Sequence, residues 1–349
     1  MKGIFNLATL MLCCSIGLAA VPVTDSMIVH LDASSVVLDG GFVVQMNDLS
    51  AGGSNDAVQT DPNYKPVLVP GAVNGYPAVD FYGEGTTLDP AKTLVIPANE
   101  ADFAGDNFTW FIVYKIEDPD EYSGIMWSTY DMTDDLNQPW GDIAKFRTWG
   151  TLHGSNEVQS NVRNITEDWR GQSAGVGKGL AGWNLAIGRW KDTTGSDGQI
   201  EQFMNPFTEG NPTLADALGA PNAGSSDVVD PQPALHDHKG TVIGGTFNNS
   251  WTTPYSFQYQ FGGQIAEIII YNTALADADI SSVSQYLKAK YDYGEEVWVP
   301  GGYYVEPLND CTGIYAAGAQ PVSDLDQDCK VDMLDFAILA DNWLDANVF

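Results

Sequence analysis

The chain has 349 residues, with 15 Lys and Arg against 46 Asp and Glu, a formal net charge of -31. An anion of this density repels nucleic acid and anionic lipid, which bind through basic surfaces, so those partner classes are excluded while cations and neutral ligands remain. Hydrophobic content of 44% with 10 Trp, 15 Tyr and 14 Phe excludes global disorder, and 36 Gly with 18 Pro point to many tight turns between short strands, hence an all-β body.

Residues 1–20 read as a secretory signal peptide. Lys2 supplies the positive end, residues 4–12 a mostly apolar core, and Gly17-Leu18-Ala19-Ala20 the small residues suited to cleavage. Lipid attachment at Cys13 is disfavoured, because the residue before it is the bulky Leu12 rather than a small one. No later segment approaches the ~20 apolar residues of a membrane helix, so the mature protein is expected to be secreted, extracellular or at the cell surface, with no membrane span. Loss of Lys2 leaves 14 basic against 46 acidic residues, a net of -32. Loss of Cys13 and Cys14 leaves Cys311 and Cys329, which in an exported chain most simply form one disulfide, with a free thiol as the alternative.

From residue 26 to 270 the chain is a succession of short β-type runs at 27–31, 77–81, 108–116, 124–128, 143–149, 183–187, 200–204, 241–243 and 265–270, punctuated by Gly, Pro, Asn and Asp. No βαβ alternation appears, so the expected fold is an antiparallel two-sheet sandwich in one domain, 21–295, with 265–270 as a central strand. One helix is predicted at its end, over 278–291. Asp277 is its expected cap, Ile280, Val283, Leu287 and Tyr291 form one apolar face at the sheet's edge, and Lys288 and Lys290 sit where the helix dipole favours cations. Stretches 171–180 and 210–232 read as loops, and 296–320, with Pro300-Gly301-Gly302, as a linker.

Three stretches carry a family resemblance. Val29-His30-Leu31-Asp32-Ala33, followed by Gln45-Met46-Asn47-Asp48-Leu49-Ser50 and Asn55-Asp56-Ala57, is similar to a first strand and the turn after it. Pro66-Val67-Leu68-Val69 with Asn74-Gly75-Tyr76-Pro77-Ala78-Val79-Asp80-Phe81 is similar to the next hairpin. Gly263-Gln264-Ile265-Ala266-Glu267-Ile268-Ile269-Ile270-Tyr271-Asn272, leading to Leu275 and Tyr286-Leu287-Lys288-Ala289-Lys290-Tyr291, is similar to a closing strand and terminal helix. The region resembles the concanavalin A-like lectin/glucanase superfamily, specifically its laminin-G-like jelly-roll domains. His30 stands where such domains often carry Trp, a departure that concerns packing. The resemblance implies a jelly-roll sandwich that binds a ligand or adheres, in a superfamily that also includes glycoside hydrolases.

A hydrolase of that kind needs two carboxylates flanking the glycosidic bond, which a strand supplies at alternate positions on one face. No Glu-x-Asp-x-Glu pattern occurs. Glu117-Asp118-Pro119-Asp120-Glu121 reads as a solvated turn, Glu167 and Asp168 are adjacent and would point apart, and Glu267 is alone in its strand and structural. Gly171-Gln172-Ser173-Ala174-Gly175 fits a nucleophile motif, yet the polar 167–170 does not read as the strand an elbow needs before it, and the glycines after it break helices. His236-Asp237-His238 could bring two imidazoles to one metal, against the plainer reading of a surface loop. Trp251 and Tyr255 are the candidate ligand contacts, their flat faces suited to stack on a sugar ring, with Trp140 and Trp149 behind them.

The most specific motif lies at 324–335. Asp324, Asp326, Asp328, Asp332 and Asp335 occupy positions 1, 3, 5, 9 and 12 of a twelve-residue loop, with the Lys330 carbonyl at position 7, a set of oxygens that wraps one Ca2+. Five acids and one Lys give the loop a local charge near -4, costly without a cation. Residues 334–344 form a largely apolar helix after it. The combination resembles a dockerin-type, EF-hand-like calcium-binding repeat, which places the module at 321–349. Position 6 is Cys329 where the family carries Gly, and one repeat is present where the family carries two, so recognition of a cohesin-like partner is put in doubt. A bridge to Cys311, 18 residues upstream, would contribute about 3 kcal/mol by restricting the unfolded chain.

The sequence thus favours a secreted, non-catalytic protein that recognises a polysaccharide or cell-surface glycan and docks or anchors through calcium. The alternatives are a polysaccharide-active glycoside hydrolase of the same superfamily and a purely structural surface component.

Overall fold

A run rich in β-branched and aliphatic residues, alternating apolar and polar from Val29 to Ser34, builds a long strand over 27–39, and this strand is the seam of the molecule. The computed structural model describes residues 20–81, 92–105, 107–118, 122–129, 146–153, 157–163, 169–173, 182–191, 199–218, 238–247, 257–258 and 261–294, all within the first of the chain's two units, Met1–Glu296. The elements run β1 (Met27–Asp39), β2 (Phe42–Asp48), β3 (Ala57–Val58), β4 (Val67–Val73), β5 (Tyr76–Asp80), β6 (Leu94–Pro97) and α1 (Glu100–Phe103). They continue as β7 (Phe108–Asp118), β8 (Tyr122–Gly124), β9 (Met126–Thr129), β10 (Phe146–His153), β11 (Glu157–Arg163), β12 (Trp169–Ser173), β13 (Trp183–Lys191) and β14 (Gln199–Met204). β15 (Gly240–Ile243), β16 (Thr246–Phe247), β17 (Phe257–Gln258), β18 (Gly262–Tyr271) and α2 (Asp277–Tyr291) complete the described part.

The fold is all-β with two helices among the described residues. Sixteen of the described strands join one antiparallel sheet: fourteen run in the order β12-β11-β10-β9-β15-β6-β3-β2-β4-β5-β18-β7-β13-β14, β8 pairs with β10 and β1 with β18 and β2, while β16 pairs with β17. β1 links the two limbs: Met27 to Asp32 pair with β18, and Leu31 with Val36 to Asp39 pair with β2. The limbs fold over each other in a sandwich-like arrangement. Val29 and Leu31 of β1, Val43 and Met46 of β2, Trp110, Ile112 and Tyr114 of β7, and Ile265, Ile268 and Ile270 of β18 share one buried cluster. At the far end Ser160 of β11 hydrogen-bonds Gln202 of β14, joining the two limbs through side chains.

Turn chemistry sets the registers. Gly40 and Gly41 at φ 61° and 92° close β1 on β2, and Asn74 and Gly75 at φ 45° and 81° close β4 on β5; both are two-residue turns with positive φ at each central position, which match the twist of a hairpin.

β18 is central as the sequence predicts, held by β1 and β5 on one side and β7 on the other. α2 lies on the face of this limb rather than at its edge. Ile280, Val283, Leu287 and Tyr291 pack with Phe111, Val113, Leu185, Ile187, Ala266 and Ile269 in a second cluster, and each fully buried aliphatic side chain there contributes about 1.5–3 kcal/mol. Ala276 caps the helix without a side-chain bond. Asp277 is therefore not the cap; its carboxylate binds Arg189 Nη1 at 2.6 Å, because the buried guanidinium of β13 offers it a charged partner.

Three further expectations change. The turn expected over 45–50 begins as β2, because Gln45 and Met46 pair with Val58 and Ala57. Glu117 and Asp118 belong to β7 rather than to a turn, with Glu117 Oε1 accepting from Lys115 Nζ at 3.1 Å and Gln264 Nε2 at 2.8 Å. Gly171 to Ser173 belong to a strand paired with β11 rather than to the loop expected from 171, so the strand missing from the Gly-x-Ser-x-Gly reading is present. Among the described residues no helix is long and apolar enough to cross a membrane.

Candidate functional site

Inward and outward positions alternate along β1 and β18, so His30, Asp32 and Glu267 face α2 while their neighbours fill the core. Lys290 descends from the last turn of α2 into this group. Its ammonium donates to Asp32 Oδ2 at 2.6 Å and to Glu267 Oε2 at 2.7 Å. Tyr291 Oη donates to Glu267 Oε2 at 2.7 Å, and His30 Nε2 lies 2.9 Å from Glu267 Oε1. A carboxylate only accepts, so His30 carries its proton on Nε2. Asp32 Oδ1 is held separately, by the Ser34 backbone N–H at 2.8 Å and the Ser34 hydroxyl at 2.6 Å.

Lys290, Asp32 and Glu267 are 8%, 7% and 1% exposed, so water is excluded from their contacts. The rings of Tyr291, Tyr76 and Tyr286 surround the ammonium at 4.9, 5.4 and 5.7 Å, adding cation–π attraction. Burial alone would raise the Asp32 pKa, but the Lys290 charge and the Ser34 bonds outweigh it and hold the carboxyl below its usual range. Burial alone would likewise lower Lys290; Glu267 and Asp32 reverse this and push it up. Burial and the nearby Glu267 charge push the Tyr286 hydroxyl up to about 12.

His30, Asp32 and Glu267 each bring one potential ligating atom within 4.8 Å of the others, a spacing that suits a divalent cation. Lys290 bonds to both carboxylates from inside the same group and supplies the positive charge there. The arrangement is a closed ion cluster, in which Glu267, alone among acids in its strand, takes its partners His30, Lys290 and Tyr291 from other elements. Lys290 is a buried counter-ion rather than a dipole-complementing surface cation.

A second polar network ties the start of β1 to the segment after β2 and to α1. Asp48 Oδ1 accepts from the backbone N–H of His30 at 2.9 Å and of Ser50 at 3.0 Å, and Oδ2 accepts from Asn55 N at 3.1 Å. Asn55 Nδ2 continues to Asp102 Oδ2 at 2.7 Å. Asn99, which caps α1, donates from Nδ2 to Asn55 Oδ1 at 2.9 Å and from its backbone N–H to His238 Nδ1 at 3.0 Å. That bond leaves the His238 proton on Nε2, which donates to Thr241 Oγ1 at 3.0 Å, while the ring stacks on Phe103 at 4.2 Å. His238 is thus not exposed on a surface loop: it is 2% exposed, with both ring nitrogens in hydrogen bonds.

Trp251, Tyr255, Trp140, His236, Glu167, Asp168, Cys311, Cys329 and the loop residues Asp324, Asp326, Asp328, Lys330, Asp332 and Asp335 lie outside the described residues. Trp149 sits in β10 opposite Ser160. The residues that sequence reasoning missed are Asp32, Lys290, Tyr286 and Tyr291. The available signal was a Lys at the border of the apolar helix stripe, three residues after Leu287 and next to its last tyrosine.

No family model and no curated protein matches the chain. Among solved structures, Trypanosoma rangeli sialidase in complex with 2,3-difluoro-KDN is 16% identical with a TM-score of 0.41, over 78% of this chain and 34% of that one. The CBM40 of Ruminococcus gnavus IT-sialidase bound to α2,6 sialyllactose is 17% identical with a TM-score of 0.34, over 52% and 84%. Domain 4 of AbnA, a GH43 extracellular arabinanase from Geobacillus stearothermophilus, in complex with arabinotriose, is 12% identical with a TM-score of 0.42, over 74% and 98%. The chain spans about a third of the length of the sialidase, and overlap this loose transfers neither ligand nor activity.

Proposed function

We propose that this is an exported, non-catalytic binding protein in which a jelly-roll domain, 21–295, recognises a polysaccharide or cell-surface glycan and a dockerin-like module, 321–349, anchors it through calcium. The observation that supports the binding reading over hydrolysis is the use made of the carboxylates. The three buried ones among the described residues, Asp32, Asp48 and Glu267, are committed to internal hydrogen bonds. The sugar-stacking role falls to Trp251 and Tyr255, and the calcium ligands are Asp324, Asp326, Asp328, the Lys330 carbonyl, Asp332 and Asp335.

Two measurements on the full-length protein test this. On a glycan array the expected result is retention by one class of polysaccharide, lost in Trp251→Ala, with no reducing sugar released. Reproducible release that disappears on one Asp or Glu to Ala change would instead establish the hydrolase. Calorimetric titration with calcium should show one site, weak for its class at about 10⁻⁴ M because Asp335 is shorter than the usual Glu. Equal heat from a variant carrying Asp324→Ala and Asp328→Ala, or none at millimolar calcium, removes the calcium module from the proposal.

A further inference from the structure

We propose that Lys290 and Asp32 form an intramolecular isopeptide bond, with Glu267 as the proton carrier, so that the first strand and the last helix of the β domain become covalently joined. This goes beyond the binding reading and does not depend on it. The contact has the parts that amide formation requires. A primary amine lies 2.6 Å from a carboxyl oxygen, and a second carboxylate lies 2.7 Å from the same nitrogen. The other oxygen of Asp32 is held by a backbone N–H and a hydroxyl, both from Ser34, aimed where negative charge develops when the carbonyl carbon is attacked. All three reacting side chains are nearly sealed from water, which both reverses the reaction and screens its charges.

The steps balance without a co-reactant. Glu267 Oε2 takes one proton from the Lys290 ammonium and passes it to Asp32 Oδ2, leaving a neutral amine facing a neutral acid. Nζ attacks Cγ, the new C–N bond forms, and the negative charge moves to Oδ1 against the two Ser34 donors. Glu267 then removes a second proton from the nitrogen and delivers it to Oδ2, the C–Oδ2 bond breaks, and water leaves as the charge on Oδ1 returns to the carbonyl. Glu267 ends as a carboxylate, still bonded to His30 Nε2 and the Tyr291 hydroxyl.

The opposing factor is the ion pair itself, which favours the charged reactants and makes the first proton transfer slow. Enforced contact offsets it: groups held in attack geometry reach effective molarities on the order of 10⁵–10⁸ M. Both partners are fixed, Asp32 by Ser34 and Lys290 by a helix packed along its apolar face. The linkage would span 258 residues of sequence, so chain pulled from either side could not peel α2 from the sheet.

Mass spectrometry of the purified full-length protein after denaturing digestion reads the bond directly. The expected product is a branched peptide joining the segment with Lys290 to that with Asp32, lighter than the two together by one water, with cleavage after Lys290 lost. Glu267→Gln keeps both reactants and removes the proton carrier, and should return the two segments unlinked. Recovery of unlinked Lys290 and Asp32 segments from wild-type protein incubated in its folded state overturns the proposal, whether or not the variant folds. A branched peptide formed equally in Glu267→Gln overturns the role given to Glu267.

Discussion

Lys290→Met is expected to lower the stability of the β domain by about 3–5 kcal/mol, because it leaves Asp32 and Glu267 facing each other in a site closed to water with no cation between them. The methionine occupies a similar length, so packing contributes little to the loss. The readout is the urea midpoint at unchanged slope, on material in which Lys290 and Asp32 are unlinked. The pH dependence separates this mechanism from a simple cavity. In the wild type the Asp32 pKa is depressed, so its contribution is present above the unfolded value of about 4 and is lost as pH falls through the folded value. The Lys290 pKa is raised, so its contribution is complete below about 10.4 and is lost as pH rises through the folded value. In the variant the cation that holds Asp32 down is gone, and burial then pushes its carboxyl up, so acidification relieves it. The gap between the two proteins should therefore narrow from pH 7 toward pH 4. A gap that stays constant across that range would show that the charges are not what Lys290 holds.

Gly188→Ala is expected to cost about 1–3 kcal/mol, toward the upper end, through a clash that the surrounding core cannot relax. Gly188 of β13 pairs with Trp110 of β7, and the indole edge from Nε1 to Cζ2 occupies the space beside the glycine. A Cβ there would stand 2.2 Å from Trp110 Nε1 and 2.3 Å from Cε2. Trp110 is fully buried among both limbs of the sheet, so the ring has no free space to enter. Trp110→Leu removes the obstacle at its own cost in lost packing. In that background Gly188→Ala should cost well under its value in the wild type, a coupling that thermal or urea unfolding of the four proteins in the cycle measures. Equal costs in both backgrounds would mean that the glycine serves the strand backbone and not the indole.

Chain-local chemistry accounts for what was legible in the sequence. Short β-type runs at 27–31 and 265–270 placed the strands, and three- and four-residue spacing placed Ile280, Val283, Leu287 and Tyr291 on one helix face, since both properties are set by residues within a few positions of one another. Runs of polar or mixed composition were misjudged for the complementary reason. Trp169 to Ser173 looks like a loop in isolation, but its backbone is satisfied by β11, and that pairing is a property of the sheet. The charge cluster is the extreme case. Asp32, Glu267 and Lys290 are unremarkable where they stand in the chain, and Lys290 in a last helical turn reads as a surface cation. Strand alternation carries Asp32 and Glu267 to the outer face of one limb, the pairing of β1 with β18 sets them side by side, and packing of α2 across that face lowers Lys290 between them. Composition and local periodicity determined that this chain would be an all-β body closed by a helix; which charged side chains meet inside it was decided by contacts between residues hundreds of positions apart, because the low dielectric that makes such a meeting consequential exists only once the sheet and helix have closed over it.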